Sequence, residues 1–561
     1  MAQTFAVTLV VITAIIILAF IILYLFTLTD VDYIPAEAIT HEQTETYDFI
    51  ICGAGTAGSI IAHNLGNAGH SVLVLERGLN QQADPVVRDG AKVTVPAESN
   101  KYAQTYLQEP YAINVQPFFK RLSVPMGKMI GGSSGVNYTV YVRPSRIFHD
   151  ELAKIAKDES YEYNKYYEYY KDVERFIGET QAPEQRGRDG IIGITQISGA
   201  GTEFGDWVKE LGDVTGSKYN IDYNTGTDLV GSPYLQSSTV FLQSGQVLRQ
   251  WSSQYLNPAP KSVKVLTSVD CLRVLFDTPS DDEQLKATGV EVVQGDERRI
   301  KRYHCRHEVI LCSGIESSLI LERSGIGNSD ILSAYNIKTL IDNKNVGENF
   351  RNHGGCYVFL LMGTTVAPQA FAPLFAHVPD NGFSKPGQRN IEILFFTSDY
   401  GQPVDEPTAV PLVIWNVNSK VQGSMHITGP GIQQPIITYN NYEDLIPVAY
   451  YIINILVPNL RLTGAPELQI GPVLNIPGEL LQQGQEEHLA QWIYANQISG
   501  AHYTGQCSIG TVVDNNLRVI GTQNLRVADN SVFPLSVPGN TSCSAQGLGF
   551  FASYKILRNY E

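Results

Sequence analysis

Residues 47–78 read YDFIICGAGTAGSIIAHNLGNAGHSVLVLERG, and no other stretch limits the fold of this chain so severely. Asp48 to Cys52 is a short apolar run of the kind shown by a strand buried on both faces. Gly53, Gly55 and Gly58 follow as G-x-G-x-x-G. In that spacing the first glycine allows a tight turn, the second lets backbone approach a pyrophosphate, and the third lets helix and strand pack closely. The helix that opens there would point its positive end at the phosphates. Ser71 to Leu75 returns as a second strand, and Glu76 ends it about twenty residues after the glycines, where a carboxylate accepts hydrogen bonds from a ribose. The unit therefore predicts an α/β fold with a dinucleotide, NAD or FAD, held at Gly53, Gly55, Gly58 and Glu76.

At 561 residues the chain has room for two or more domains and a large core. Lys and Arg together number 40 against 56 Asp and Glu, a formal charge of −16, so a nucleic-acid partner held by phosphate neutralisation is not expected. Seven cysteines are scattered without a C-x-x-C or a His/Cys spacing of the metal-binding kind, so no metal is expected.

Phe5 to Phe26 is almost wholly apolar, and as a helix its 22 residues would span about 33 Å, enough for a bilayer. No Lys or Arg precedes Arg77, and there is no small-residue cleavage site, so the run reads as a retained single-pass anchor rather than a cleaved signal peptide. With no nearby cations to count, the side of the membrane is left open. Thr29 to Thr46 is acidic and polar, as suits an exposed linker.

The segment from Gly78 to Arg121 reads as loop. After it comes Val124 to Arg143, in which Gly127, Gly131, Gly132, Ser133 and Ser134 make a loop that suits the close approach of something flat or anionic, ahead of a strand over Tyr138–Val142. Gly127 to Asn137 resembles the first signature of the glucose-methanol-choline (GMC) oxidoreductases, flavoenzymes in which this loop passes over the flavin. The resemblance implies that Met129, Ser133, Asn137 and Val140 lie against FAD. It continues at Ser313 to Gly327, which is similar to the second family signature with Gly314 as a departure, and at Val346 to His353, where Asn352 replaces the family's Asp. By the same resemblance Val269 reaches the adenine side of FAD and Asp529 meets the flavin through its main chain, with Tyr503 also at the cofactor.

Other segments are read from pattern alone. Asp158 to Phe176, rich in tyrosine, is expected to be an amphipathic helix packed into the core. Val263 to Leu266, Leu272 to Phe276, Ala287 to Val293 and Val309 to Cys312 read as strands. Asn390 to Phe396, Ser424 to Thr428 and Pro435 to Asn440 read as strands of one antiparallel sheet, and Asp444 to Ile455 as a helix.

Removing a hydride from an alcohol carbon requires a base for the hydroxyl proton, while the hydride goes to flavin N5. Imidazole suits that task, and a second polar group about 3 Å from the same oxygen can orient it. His502 and Asn540 match the family's C-terminal positions, so the resemblance implies His502 as general base and Asn540 as partner of the substrate oxygen. Gln506 departs from the Thr usual there.

The expected architecture is an anchor over 1–29, a linker over 30–46, a Rossmann-like FAD-binding domain assembled from 47–150, 236–340 and 500–561, and an α+β substrate domain with an antiparallel sheet over 151–235 and 341–499. The expected activity is FAD-dependent oxidation of an alcohol CH–OH group, with O2 or another acceptor taking the electrons. Two alternatives stand beside it. One is a hydroxynitrile lyase-like GMC enzyme with non-redox FAD, which Ala501-His502-Tyr503 brings to mind but Asn540, an amide, disfavours. The other is a membrane-tethered structural flavoprotein whose catalysis has decayed.

Overall fold

The computed structural model describes residues 45–560 apart from 92, 94–95, 98, 111–120, 199–202, 233, 278–283, 296–298, 363–370, 381–383, 386, 397–408 and 461–469. The expected anchor and most of the linker lie outside the described residues. Among the described residues no helix is long and apolar enough to cross a membrane.

The predicted βαβ unit forms as strand Thr46–Cys52, helix Thr56–Asn67 and strand Val72–Glu76. Every residue of the second strand is buried, which explains its unbroken apolar run. Around this unit the parallel sheet runs Val263–Thr267, Val72–Glu76, Thr46–Cys52, Arg299–Leu311, Leu525–Val527. Neighbours in space thus come from three distant parts of the chain. Arg299–Leu311 serves twice: its last eight residues lie parallel to the first strand, and its first half pairs antiparallel with Leu285–Gln294, which pairs in turn with Val269–Phe276. The helix Ser542–Leu557 covers the sheet beside helix Thr56–Asn67. The two come so close at Gly549 that an added Cβ would lie 2.9 Å from Ile60 Cβ.

A second sheet is ordered Ile470–Val473, Gly354–Met362, Ala409–Asn416, Ile391–Phe396, Phe371–Ala376, Val230–Gly231, Lys218–Tyr219. Its strands alternate with period 2. Ile391, Ile393, Phe395, Leu412 and Ile414 pack with the helices Glu203–Val214, Tyr442–Tyr451 and Glu486–Asn496. Leu394, Val413 and Trp415 turn to the opposite face, where they meet Val140 and Tyr223. That second face looks toward the site described below.

Four expectations need correction. The segment before Arg121 is not all loop: Pro85–Arg88 is a short helix and Ala103–Leu107 pairs with Ser123–Gly127 as a hairpin, whose apolar residues are too few to show a period. Tyr138–Val142 is not a strand, because only Val140 makes a bridge, to Ser237, and Thr139 turns the chain at φ +62°. Ser424–Thr428 and Pro435–Asn440 do not join the large sheet: Gly423–His426 and Ile436–Thr438 make a separate three-stranded sheet with Glu348–Phe350. The tyrosine-rich helix stops at Val173, and Phe176 belongs to a strand, Glu174–Ile177. Its tyrosines do enter the core, with Tyr161, Tyr163, Tyr166 and Tyr170 fully buried and His149 Nε2 2.8 Å from the Tyr170 hydroxyl.

One ion cluster ties the small sheet to the dinucleotide-binding part. His426 Nδ1 lies 2.7 Å from Glu322 Oε1, and its Nε2 lies 3.1 Å from Glu348 Oε1. Burial disfavours the charged ring, but the hydrogen bonds to Glu322 and then Glu348 outweigh it and push the imidazole up to about 9. A folded value above the unfolded 6.5 means the stabilisation is fully present below pH 6.5 and is lost as pH rises through about 9. We expect wild-type protein to exceed His426→Gln by on the order of 2–3 kcal/mol at pH 6 and by little at pH 10. Denaturant titration at both pH values checks this, and a difference that grows with pH would sink it.

Candidate active site

Gly53 turns the chain at φ +104°, a left-handed conformation that L side chains rarely adopt, directly at the end of the first strand. An added Cβ there would lie 2.5 Å from Cys312 O, and one on Gly58 would overlap Gly53 O. At Gly55 the protein offers only an ordinary contact, 3.6 Å from Cys312 O. Gly53 and Gly58 are therefore required by packing, whereas Gly55 is left open on the cleft side. The helix beginning at Thr56 has no side-chain cap and no acidic residue in its first turn, so its N-terminal N–H groups are available to an anion. Glu76 accepts from Ala54 N–H at 3.0 Å and Gly78 N–H at 2.8 Å. Burial pushes its carboxyl up to about 7 while these two donors favour the carboxylate. The residues present fit the phosphates and ribose of a dinucleotide.

The cleft that these residues line has a cavity volume of about 160 Å³ and also touches Ser133, Val269, Tyr503 and Asp529. Gly131 N–H donates to Ala54 O at 2.7 Å, which lays the loop Gly127–Asn137 against the dinucleotide turn. The approach is close enough that a Cβ on Gly132 would be 2.7 Å from Gly55 Cα. Ser133 Oγ accepts from Gly127 N–H at 3.1 Å and fixes the loop internally. Asp529 receives Gly314 N–H at 2.9 Å and the Ser317 hydroxyl at 2.6 Å, and caps its own turn through Ser531 N–H at 3.0 Å. Burial raises its carboxyl to about 6.

A second cavity of about 410 Å³ continues from the first, the two sharing Thr56, Ser133, Ala501, Asn530, Thr541 and Ala545. His502, Asn540, Asn137 and Val140 line it. His502 follows Ala501, whose φ of +54° is strained for a residue with a side chain. That conformation is held from both sides: Ser499 Oγ accepts Ala501 N–H at 3.2 Å, and Asn352 Oδ1 accepts His502 N–H at 2.9 Å. Asn352, which departs from the family pattern, thus retains the oxygen needed to seat the histidine.

The ring of His502 is bonded at both nitrogens. Asn540 Nδ2 is 3.3 Å from Nε2, and His353 Nδ1 is 2.9 Å from Nδ1. An amide nitrogen can only donate, so Nε2 carries the lone pair and Nδ1 carries the hydrogen. His353 then accepts at Nδ1 and donates from Nε2 to Ser536 Oγ at 3.0 Å, and Ser536 in turn donates to Val417 O at 3.4 Å. The last carbonyl, an obligate acceptor, gives the whole series one direction. Burial pushes His502 down to about 4 and holds His353 well below the usual imidazole range, so both rings are neutral at pH 7. The result is a neutral imidazole with a lone pair facing a cavity.

The expected residues are mostly brought together. Gly53, Gly55, Glu76, Val269, Tyr503 and Asp529 line the first cavity, Asn137, Val140, His502 and Asn540 the second, and Ser133 both. Gly58 lies one turn behind. The Met129 side chain is fully buried with Val87, Tyr102, Val136 and Trp251 and lines neither cavity. Gln506 is also fully buried and lines neither, its backbone oxygen accepting Gly347 N–H at 3.0 Å. Sequence reasoning missed His353, Ser536 and Trp415. His353 ends the V-G-E-N-F-R-N-H segment, the one signal that could have found it.

The chain is similar to known proteins along most of its length. A family model described as GMC oxidoreductase matches residues 47–354, and a second of the same description matches 462–549. An oxygen-dependent choline dehydrogenase of Sinorhizobium medicae is 28% identical over 550 residues, covering 91% of this chain and 95% of that protein. Among solved structures, a formate oxidase from Aspergillus oryzae, studied for modification of its FAD, superposes with a TM-score of 0.80 at 19% identity, covering 93% of this chain and 99% of the other. A pyridoxine 4-oxidase from Mesorbium loti gives 0.76 at 19% identity, with 91% and 99% covered.

Proposed function

The chain belongs to the GMC oxidoreductases, and from that membership we propose that it is an FAD-dependent oxidase or dehydrogenase acting on the CH–OH group of an alcohol, with His502 as the general base. The observation that carries the assignment of roles is the pair His502 Nε2 and Asn540 Nδ2, 3.3 Å apart on the wall of the cavity that adjoins the dinucleotide cleft. Bound FAD supplies the hydride acceptor, flavin N5. An alcohol oxygen placed within about 3 Å of both nitrogens gives its proton to Nε2 and accepts a hydrogen bond from the Asn540 amide. Asn540 Oδ1 is buried without a hydrogen-bond partner among the described residues, so the amide is not pinned at that end. His353 acts as a positioning residue: by accepting from Nδ1 it holds His502 in the tautomer whose Nε2 is a base. As the proton arrives, the same bond lets the forming imidazolium donate to a neutral acceptor. The glycine turn, the uncapped helix end and Glu76 would hold FAD.

The test is anaerobic mixing of the FAD-loaded protein with a panel of alcohols. Bleaching of the oxidised flavin band by at least one is expected, and an inert flavin with all of them would count against the reading.

The run Phe5–Phe26 supports a further part of the proposal, a single-pass membrane anchor that keeps the flavin domain beside a bilayer. Full-length protein should stay with carbonate-washed membranes, and removal of residues 1–29 should release a flavin-containing protein. Recovery of the intact chain in the supernatant would dismiss the anchor.

A further inference from the structure

The wall facing His502 is built from two neighbouring cross-strand rows of the second sheet. Leu394, Val413 and Tyr357 stand opposite one another in one row. Trp415 and Ile498 flank Gly355 in the other. Residues directly opposite on adjacent strands share a face, so five apolar or aromatic side chains present one continuous surface to the cavity. Val140, from the loop that passes over the dinucleotide turn, closes it on a further side. Among the described residues lining this cavity there is no Asp, Glu, Lys or Arg. The polar groups of its lining are His502, the amides of Asn137, Asn530 and Asn540, and Ser, Thr and Tyr hydroxyls. Trp415 lies with its ring centroid 6.3 Å from that of His502, so the apolar surface begins immediately beside the base. Glu392 stands directly opposite Trp415 on the same sheet face, but it is fully buried, feels the positive charge of Arg389 and does not line the cavity.

We propose that this site selects uncharged, apolar alcohols, an aliphatic chain or a benzylic ring carrying the hydroxyl, and discriminates against charged alcohols, including the choline named for its bacterial relatives. The proposal rests on the reading of His502 and Asn540 as the alcohol-binding pair. The His502 and Asn540 pair, with the apolar wall beginning beside it at Trp415, matches an amphipathic molecule that carries one hydroxyl. A charged substituent entering the same space loses its hydration and finds no opposite charge to replace it. Trp415 and Tyr357 are the aromatic groups on this wall to which a quaternary ammonium would turn, so choline is the more stringent of the two charged comparisons. For an alkyl chain the balance reverses, because each buried methylene is worth roughly fourfold in affinity.

The test uses the full-length FAD-loaded chain with 1-butanol, 1-hexanol and benzyl alcohol against choline and glycolate. Two readouts are taken: perturbation of the oxidised flavin spectrum for binding, and anaerobic flavin reduction for chemistry. We expect kcat/KM to rise roughly fifteenfold from 1-butanol to 1-hexanol, and choline and glycolate to fall at least about a hundredfold below 1-hexanol. Choline or glycolate matching or exceeding 1-hexanol, with bleaching intact, overturns the specificity and leaves the oxidation reading standing. Tighter binding of the neutral alcohols without any bleaching supports the specificity and overturns the oxidation reading instead.

Discussion

His502→Ala should slow reduction of the bound flavin by an alcohol by roughly a hundredfold to ten-thousandfold, the span expected when a positioned general base is removed. FAD content should be unchanged, because the side chain faces the second cavity and does not line the cleft where Gly55 and Glu76 sit. The pH profile makes the same point more sharply. Only the neutral imidazole can accept the hydroxyl proton, so activity requires deprotonation of His502. Burial pushes that group down to about 4, which places the acid limb of kcat/KM near pH 4 and leaves the rate flat from about pH 5 to 8. An exposed histidine would instead lose activity through about pH 6.5. Stopped-flow reduction rates across this range distinguish the two, and an acid limb at 6.5 would show that His502 is not buried as a neutral ring during turnover. His502→Ala retaining most of the rate would move the base elsewhere.

How far the site was legible follows from what each part depends on. Gly53 to Glu76 could be read because every element of that unit is local: the strand, the turn, the helix and the acid are set by periodicity and by glycines at fixed offsets. The parallel sheet around it could not be ordered from local pattern, since Arg299–Leu311 divides its length between a parallel and an antiparallel partner. Such a strand shows one apolar end and one charged end, and only its apolar end, Val309 to Leu311, was visible. His502 and Asn540 were reached through family resemblance, not spacing, because 38 residues separate them and the bond between them is tertiary. His353 is 149 residues from His502, and the segment that it ends marks its position without telling that it contacts His502. The strands Gly423–His426 and Ile436–Thr438 were placed in the wrong sheet for a similar reason: two-residue alternation reports a half-buried strand but not its neighbour. Met129 shows the limit of carrying a motif over residue by residue, since the backbone of a signature loop can follow the cofactor while one of its side chains packs away from it.

Replacing the second and third glycines of the dinucleotide turn one at a time should separate packing from ligand contact, with a large effect in each case. In Gly58→Ala the new Cβ overlaps Gly53 O and lies 3.0 Å from Cys312 Cβ. Neither neighbour can move, because Gly53 N–H is bonded to Leu75 O at 2.8 Å and Cys312 N–H to Cys52 O at 2.7 Å. The helix must therefore shift away from the strand, at a cost of roughly 1–3 kcal/mol of fold stability, and FAD is lost with it. In Gly55→Ala the nearest protein atom stays 3.6 Å away, so the fold should accept the methyl without loss. The methyl instead occupies the cleft side of the turn, where a pyrophosphate would lie against backbone. A clash of roughly 1–3 kcal/mol there weakens FAD binding about five- to 160-fold. The ratio of flavin to protein absorbance after dialysis reads cofactor retention, and thermal unfolding of the apoproteins reads the fold. If apo Gly55→Ala melts as early as apo Gly58→Ala, the turn is constrained by the protein alone. If Gly55→Ala keeps its full complement of FAD, the pyrophosphate does not approach there, and the opening motif would hold the cofactor by some route other than its second glycine.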